Sequence, residues 1–282
     1  MNDKCLILLS TYNGEMFIEE QVNSILNQSY KDWHLTIRDD GSTDATVALL
    51  NKIASSYSDK ISVIDDKNNL GCKKSFETLL TNADAEYYMF CDQDDVWLED
   101  KIQHAVETLE KAVGKDSDIP CVVCSDLRLV DGDLNDLGIT FWQATKTNVH
   151  ILDTPEKLSV NNYVAGCTML FNIAAKKVST PFGIHCTMHD AWIALKALAS
   201  SGRVVISPYA DILYRQHGGN TVGATKVENR LHYWYRKAVS LKSVLKNNYS
   251  TSGGISVPYF SATKSCVTPP STIGSRTRRF LR

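Results

Sequence analysis

Short apolar runs alternate with helical periodicity through the first hundred residues, and this alternation narrows the possible folds most. Cys5–Leu9, Leu35–Ile37, Ile61–Ile64 and Tyr87–Cys91 are runs of strand length. Between and after them, apolar residues recur at helical spacing: Ile18/Val22/Ile25/Leu26, Val47/Leu50/Ile53/Ala54, Phe76/Leu79/Leu80/Ala83 and Ile102/Val106/Leu109/Val113. Side chains three and four positions apart share one helix face, so each segment can cover a sheet. Four consecutive β-α units predict a mainly parallel sheet with helices on both faces. In such sheets ligands bind beyond the carboxyl ends of the strands. The chemistry is therefore expected along that rim.

The second half is less regular. Cys121–Ser125, Thr168–Phe171, Arg203–Ile206 and Ile212–Tyr214 read as strands, and Ala191–Ala199 as a helix. From Glu228 to Asn247, an apolar stripe with Trp234 and Tyr235 is backed by Arg230, Arg236, Lys237, Lys242 and Lys246. Beyond Tyr249 the chain is rich in Ser, Thr, Gly and Pro and reads as a weakly ordered tail.

Charge is unevenly placed. The 282 residues carry a net −2, yet the stretch after Glu228 holds ten Lys and Arg and no acid. That leaves the preceding body at −12. The balanced total argues against a wholly basic nucleic-acid binder, and the basic end suggests a negatively charged surface as partner. The Glu228–Asn247 helix can lie on an anionic membrane face, or it can pack on the catalytic body with its charged face solvated. Eight cysteines are too sparse for a disulfide scaffold, and most sit in apolar runs as buried thiols. The spacing of Cys121 and Cys124 has no answering pair, and in a strand their side chains diverge. The first residues lack a signal peptide's apolar region. The longest uncharged stretch, Leu158–Ala175, contains Asn161, Asn162 and Asn172, so no transmembrane helix is expected.

Polar signatures stand where the strands end: Ser10-Thr11-Tyr12-Asn13, Asp39-Asp40-Gly41-Ser42-Thr43-Asp44 and Asp92-Gln93-Asp94-Asp95-Val96-Trp97. Ser42, Thr43 and Asp44 can cap the following helix, which leaves Asp39 without a role. Asp94 and Asp95 can cap the next helix, but three carboxylates within four positions repel unless a cation joins them. Carboxylate oxygens suit Mg²⁺ or Mn²⁺, and such an ion favours a nucleoside diphosphate as ligand.

Taken together with Asn69-Leu70-Gly71, these segments resemble the family 2 glycosyltransferases of the GT-A fold, with Asp92-Gln93-Asp94 matching the DXD motif. The likeness continues through His189-Asp190-Ala191-Trp192 and Tyr214-Arg215-Gln216-His217-Gly218-Gly219-Asn220-Thr221, and is greatest toward the rhamnosyltransferase-like branch. It implies a GT-A domain over 1–225, with a Rossmann-like mixed sheet. Its nucleotide half spans about 1–100 and its acceptor half about 101–225. An amphipathic basic helix at 226–249 and a low-complexity tail at 250–282 follow.

The resemblance further implies that Asp94 and His217 bind the metal and that Asp92 approaches the donor's ribose or phosphate. Tyr12 and Asp39 or Asp40 border the base, and Lys73 or Lys74 meets a phosphate. Ser10, Thr11, Asn13 and Gln93 complete the donor side, and His189, Trp192 and Arg215 serve the acceptor or support the site. Asp190 is the expected base. An inverting displacement needs one group to take the acceptor hydroxyl's proton, worth roughly 10²–10⁴ in rate.

The implied reaction moves a sugar, with rhamnose from a deoxythymidine-diphosphate donor foremost and a uridine-diphosphate hexose next. The acceptor is a glycan or lipid-linked glycan in bacterial surface polysaccharide synthesis, at the cytoplasmic side of the inner membrane. A non-catalytic nucleotide-sugar-binding protein on the same fold is the alternative. A metal-dependent hydrolase built on His185, His189 and Asp190 is weaker, because Cys186 stands where the glutamate of HExxH belongs.

Overall fold

The computed structural model describes residues 4–217 other than 65, 67, 152, 153 and 161. The expected basic helix, the tail and Gly218–Thr221 lie outside the described residues. In chain order the elements are β1 (Cys5–Thr11), α1 (Ile18–Leu26), β2 (Trp33–Asp39), α2 (Thr46–Ser56), β3 (Ile61–Ile64), α3 (Cys72–Thr81), β4 (Tyr87–Cys91), β5 (Val96–Trp97) and α4 (Lys101–Val113). There follow β6 (Cys121–Cys124), β7 (Arg128–Val130), β8 (Asp136–Thr140), α5 (Phe141–Thr145), α6 (Pro155–Val160), β9 (Leu170–Asn172), α7 (Ile173–Ser179), α8 (His189–Ala199), β10 (Arg203–Ile206) and β11 (Ile212–Arg215).

A seven-stranded sheet runs in the order β10-β6-β9-β4-β1-β2-β3. The pairs β1–β2, β1–β4, β2–β3 and β6–β10 are parallel, while β9 is antiparallel to both its neighbours. The α/β class and the parallel N-terminal half are as the alternation predicted. β1 shows why its sequence is nearly all apolar. Cys5, Ile7 and Leu9 face one core with Val22 and Ile25 of α1, Leu50 of α2 and Val106 of α4. Leu8 faces the other, with Phe76 and Leu80 of α3 and Ile193 of α8. A strand covered on both sides has no polar face to show. The same division puts Cys121 and Cys124 in opposite cores, and the seven cysteines among the described residues are buried thiols.

Two expectations shift. The strand expected over Thr168–Phe171 begins at Leu170, after one 3-10 turn at Gly166–Thr168. A second sheet, β5-β11-β7-β8, also forms. In it β11 runs antiparallel to β5 and parallel to β7. This small sheet brings Arg215 and His217 back to the turn that follows β4.

Candidate active site

The rim is built first from backbone. β1 and β2 end side by side, with Thr11 opposite Asp39. Asp39 is 7% exposed and accepts from the amides of Gly41 (3.0 Å) and Ser42 (2.8 Å) and from the Ser42 hydroxyl (2.5 Å). This is a local carboxylate-to-backbone turn, the job the sequence left open for Asp39. Asp44 accepts from the Thr46 amide and hydroxyl and the Glu15 amide. Burial disfavours its ionised form, but those hydrogen bonds outweigh it and lower its pKa.

Asp40 takes a structural place rather than an open one beside a base. It is fully buried, 2.6 Å from Arg38 Nη1, and its two oxygens also accept from the amides of Leu70 (2.8 Å) and Gly71 (2.9 Å). Gly71 has φ +78°, a conformation that suits glycine and turns its amide toward Asp40. Arg38 in turn donates to Asp66, to the Asn68 carbonyl and to Ser75. Ser75 also bonds Ser10 at 2.7 Å. Sequence reasoning missed Arg38. A charged residue in a strand buried on both faces, just before two aspartates, was its available signal.

Gln93 is the clasp between β1 and the acidic turn. Its Oε1 accepts from Thr11 Oγ1 (2.6 Å) and the Tyr12 amide (2.8 Å), and its Nε2 donates to the Tyr12 carbonyl (3.1 Å). The side-chain amide thus acts like one more strand residue. A Cβ on Gly14 would lie 2.5 Å from Gln93 Oε1 and would displace that side chain from its hydrogen bonds. Asn13 instead faces the second loop, accepting from the Thr43 amide and donating its own amide to Ser42.

The acidic turn holds Asp92, Asp94 and Asp95, all 3% exposed or less. Two sets emerge. Carboxylate oxygens of Asp92 and Asp95 and the Cys167 sulfur lie within 4.8 Å of one another. Asp94 Oδ2 lies 2.7 Å from His217 Nε2. Arg215 fixes this second set. It donates to the Asp94 carbonyl (3.1 Å), the Gly132 carbonyl (2.6 Å) and Glu20, and its guanidinium lies 5.0 Å from the centre of the Phe17 ring. His217 packs on the same ring at 4.7 Å. Phe17 and Glu20 at the start of α1 are therefore supports that the sequence reading did not name.

Carboxylate oxygens with one imidazole nitrogen form a donor set suited to Mn²⁺ or Mg²⁺. Two neighbouring ligand atoms on one octahedral ion stand about 3 Å apart, close to the separation of Asp94 and His217. The Cys167 sulfur is softer than these ions prefer, which favours the Asp94–His217 set.

Across the rim, α8 opens with His189 and Asp190, both fully buried. The His189 ring sits 4.3 Å from Phe76 and 4.7 Å from Phe90, centre to centre. Burial pushes its pKa down to about 3. Asp190 Oδ1 accepts from the Ala191 amide at 2.6 Å. Lys73 does not stand open toward the rim alone: its Nζ donates to the Cys186 carbonyl at 2.9 Å. Trp192 donates to the Ser179 carbonyl and lies against Gly183, where any Cβ would meet the ring at 2.8 Å. It braces the loop before α8. The i, i+4 histidines of a zinc site are not on one helix, since α8 begins at His189 and His185 precedes it.

The sequence profile of Glycosyl transferase family 2 matches residues 6–129, from β1 through most of β7. A dTDP-rhamnosyl transferase of Shigella flexneri, RfbG, is 28% identical over 257 residues, covering 82% of each chain. A Bacillus subtilis glycosyltransferase named for teichuronic acid biosynthesis, TuaG, is 33% identical over 101 residues, 36% of this chain and 40% of that one. Among solved structures, the mannosyltransferase PcManGT of Pyrobaculum calidifontis, in complex with GDP-Man and Mn²⁺, aligns over 90% of this chain and 66% of its own. Its TM-score is 0.59 at 17% identity, a likeness of fold. The chain thus spans two fifths of TuaG and two thirds of PcManGT.

Proposed function

The chain carries a family 2 glycosyltransferase domain of the GT-A fold, and from that premise we propose that it is an inverting, metal-dependent glycosyltransferase. It moves a sugar from a nucleotide-diphosphate donor to a glycan or lipid-linked glycan in bacterial surface polysaccharide synthesis. Rhamnose is the foremost donor sugar, supported by the likeness to RfbG along most of both chains. The polysaccharide setting is supported by the likeness to TuaG. The observation that carries the proposal is the convergence of Asp94 and His217, 123 positions apart, at the end of β4.

In this reading Asp94 and His217 hold Mn²⁺ or Mg²⁺, with Asp92 beside them toward the donor's ribose or phosphate. When bound, the ion neutralises the diphosphate and favours its departure. The chain's own residues do the rest. Gln93 holds the Tyr12 backbone at the edge of the nucleotide pocket, with Ser10, Thr11, Asn13 and the Asp39 turn shaping its floor. Arg215 keeps the His217 strand end against the acidic turn. Asp190 takes the proton of the acceptor hydroxyl as that oxygen attacks the anomeric carbon. Asp190 is fully buried in this structure, so the reading requires its carboxylate to become accessible as the acceptor arrives. No helix among the described residues is long and apolar enough to cross a membrane. The expected attachment to the inner face belongs to the basic segment after residue 225.

A panel of nucleotide sugars read by thermal shift with Mn²⁺ tests the donor. Selective stabilisation by dTDP-rhamnose is the expected result. Equal stabilisation by every donor, or none, counts against it. Asp190→Asn is expected to keep donor binding and lose transfer by roughly 10²–10⁴. Turnover at the wild-type rate removes Asp190 as base.

A further inference from the structure

We propose that His189 is a positioning residue for Asp190, its ring serving as the wedge through which one face of α3 sets the first turn of α8; the proposal rests on the assignment of Asp190 as base. α3 begins at the donor side of the rim, where Asp40 holds the amides of Leu70 and Gly71 just ahead of it. Lys73, Phe76 and Glu77 follow at i, i+3 and i+4, and so share one face. Each meets the segment leading into α8. Lys73 Nζ donates to the Cys186 carbonyl at 2.9 Å, Glu77 accepts from the Phe182 amide at 3.0 Å, and the Phe76 ring packs on His189 at 4.3 Å. Phe90 of β4 meets the same imidazole edge to face, at 87°.

The residue beside Asp190 is therefore clamped between a strand and a helix that both belong to the nucleotide half. Neither ring nitrogen of His189 has a hydrogen-bond partner among the described residues. Enclosed between two phenyl rings and held neutral by burial, the imidazole carries no imidazolium charge at neutral pH, and neither nitrogen is turned to a partner among those residues. What it supplies is shape. A rigid ring at 189 fixes where the backbone enters α8, and with it the direction of the Asp190 carboxylate. Misplacement of a reacting group by about 1 Å costs on the order of 10²-fold in rate.

The test compares His189→Phe, His189→Leu and His189→Ala in the full chain. Turnover of dTDP-rhamnose, or of the donor selected by thermal shift, is followed with Mn²⁺ as release of the nucleoside diphosphate. His189→Phe is expected to hold kcat within about threefold, and His189→Ala to lose about 10²-fold in kcat, with donor KM unchanged. His189→Leu should fall between them. Hydrogen exchange over 182–190 should rise in the Ala variant and not in the Phe variant, a readout independent of activity. The acid limb of the pH–rate profile should be the same in wild type and His189→Phe.

If the Phe variant is as impaired as the Ala variant while both fold and bind nucleotide, the nitrogens matter and the proposal is overturned. If His189→Ala keeps wild-type kcat, the ring positions nothing and the proposal is equally overturned. Asp190→Asn, run in parallel, separates the two readings. Wild-type turnover there removes the base and this proposal together, whereas a dead Asp190→Asn beside equal Phe and Ala variants removes this proposal alone.

Discussion

At the end of β2, Asp39, Asp40 and Asp44 give their oxygens to backbone amides, to hydroxyls and to Arg38. At the end of β4, Asp92, Asp94 and Asp95 lie as deeply buried, and Arg215 meets this turn through its own amide, which donates to Asp95, and through its guanidinium, which donates to the Asp94 carbonyl. The His217 ring is a side-chain partner of Asp94 there. The two turns look alike in sequence and stand on the same rim. The first is a folded joint whose charges are matched internally. The second keeps its carboxylates close to one another and to an imidazole, which is the arrangement a divalent ion completes. Burial of a carboxylate therefore does not mark a site by itself; the identity of the neighbouring group does.

The largest expected effect is at the joint. Asp40→Asn leaves the buried Arg38 without its closest counter-charge, and loss of one partner of such a pair costs about 3–5 kcal/mol. Urea unfolding of the variant measures it. A change below about 1 kcal/mol would mean that Asp66, also bonded to Arg38, carries the pairing, and the contrast between the turns would weaken. Asp94→Asn should behave in the opposite way. Its folding free energy without metal should stay within about 1 kcal/mol of wild type. Its Mn²⁺-dependent affinity for a nucleoside diphosphate should fall by at least the 10–100-fold that even outer partners of a metal site cost. Titration calorimetry with and without Mn²⁺ reads this, and EDTA treatment of the wild type should reproduce the same loss. Unchanged affinity in Asp94→Asn would place the second turn with the first, as architecture.

How much of this was readable in advance follows the same physics. The β-α alternation is plain because strands such as β1 and β4 are covered on both faces and helices such as α4 on one, so burial writes a period into the sequence. The second sheet leaves no such mark. β5 is two residues long, and the first four residues of β8 are exposed, so neither shows alternation. The acidic turn was legible from residue type and spacing, and its pairing with His217 from the resemblance. The fate of Asp40 was not, because it depends on Arg38 being saturated by Asp66, Asn68 and Ser75, contacts that only the fold creates. Likewise nothing local to His189 signals that Phe76 and Phe90 enclose it. Lys73 looks like a phosphate-binding lysine until the Cys186 carbonyl is found within its reach.

The smallest effect tests how the first turn uses its charge. Asp44 begins the approach to α2 with its carboxylate bonded to Thr46 and Glu15. Its pKa is lowered in the fold, so protons bind the unfolded chain first as pH falls. Its stabilisation is complete above the ordinary carboxylate range near 3.9 and is lost as pH drops through that range toward the lowered value. Asp44→Asn should cost about 1 kcal/mol at pH 7, the usual net worth of one hydrogen bond, because an amide nitrogen in place of Oδ2 cannot accept from the Glu15 amide. The difference from wild type should shrink steadily below pH 4 in thermal melts. His189 acts at higher pH, because its pKa is lowered from 6.5 to about 3. The unfolded chain takes up that proton between those values, so its contribution fades from about pH 6.5 downward, and His189→Phe should flatten that part of the curve alone. Two acid limbs that separate in this order assign the lower one to the joint at β2. A single limb that Asp44→Asn leaves untouched would mean that the joint's charges are not what acid unfolds.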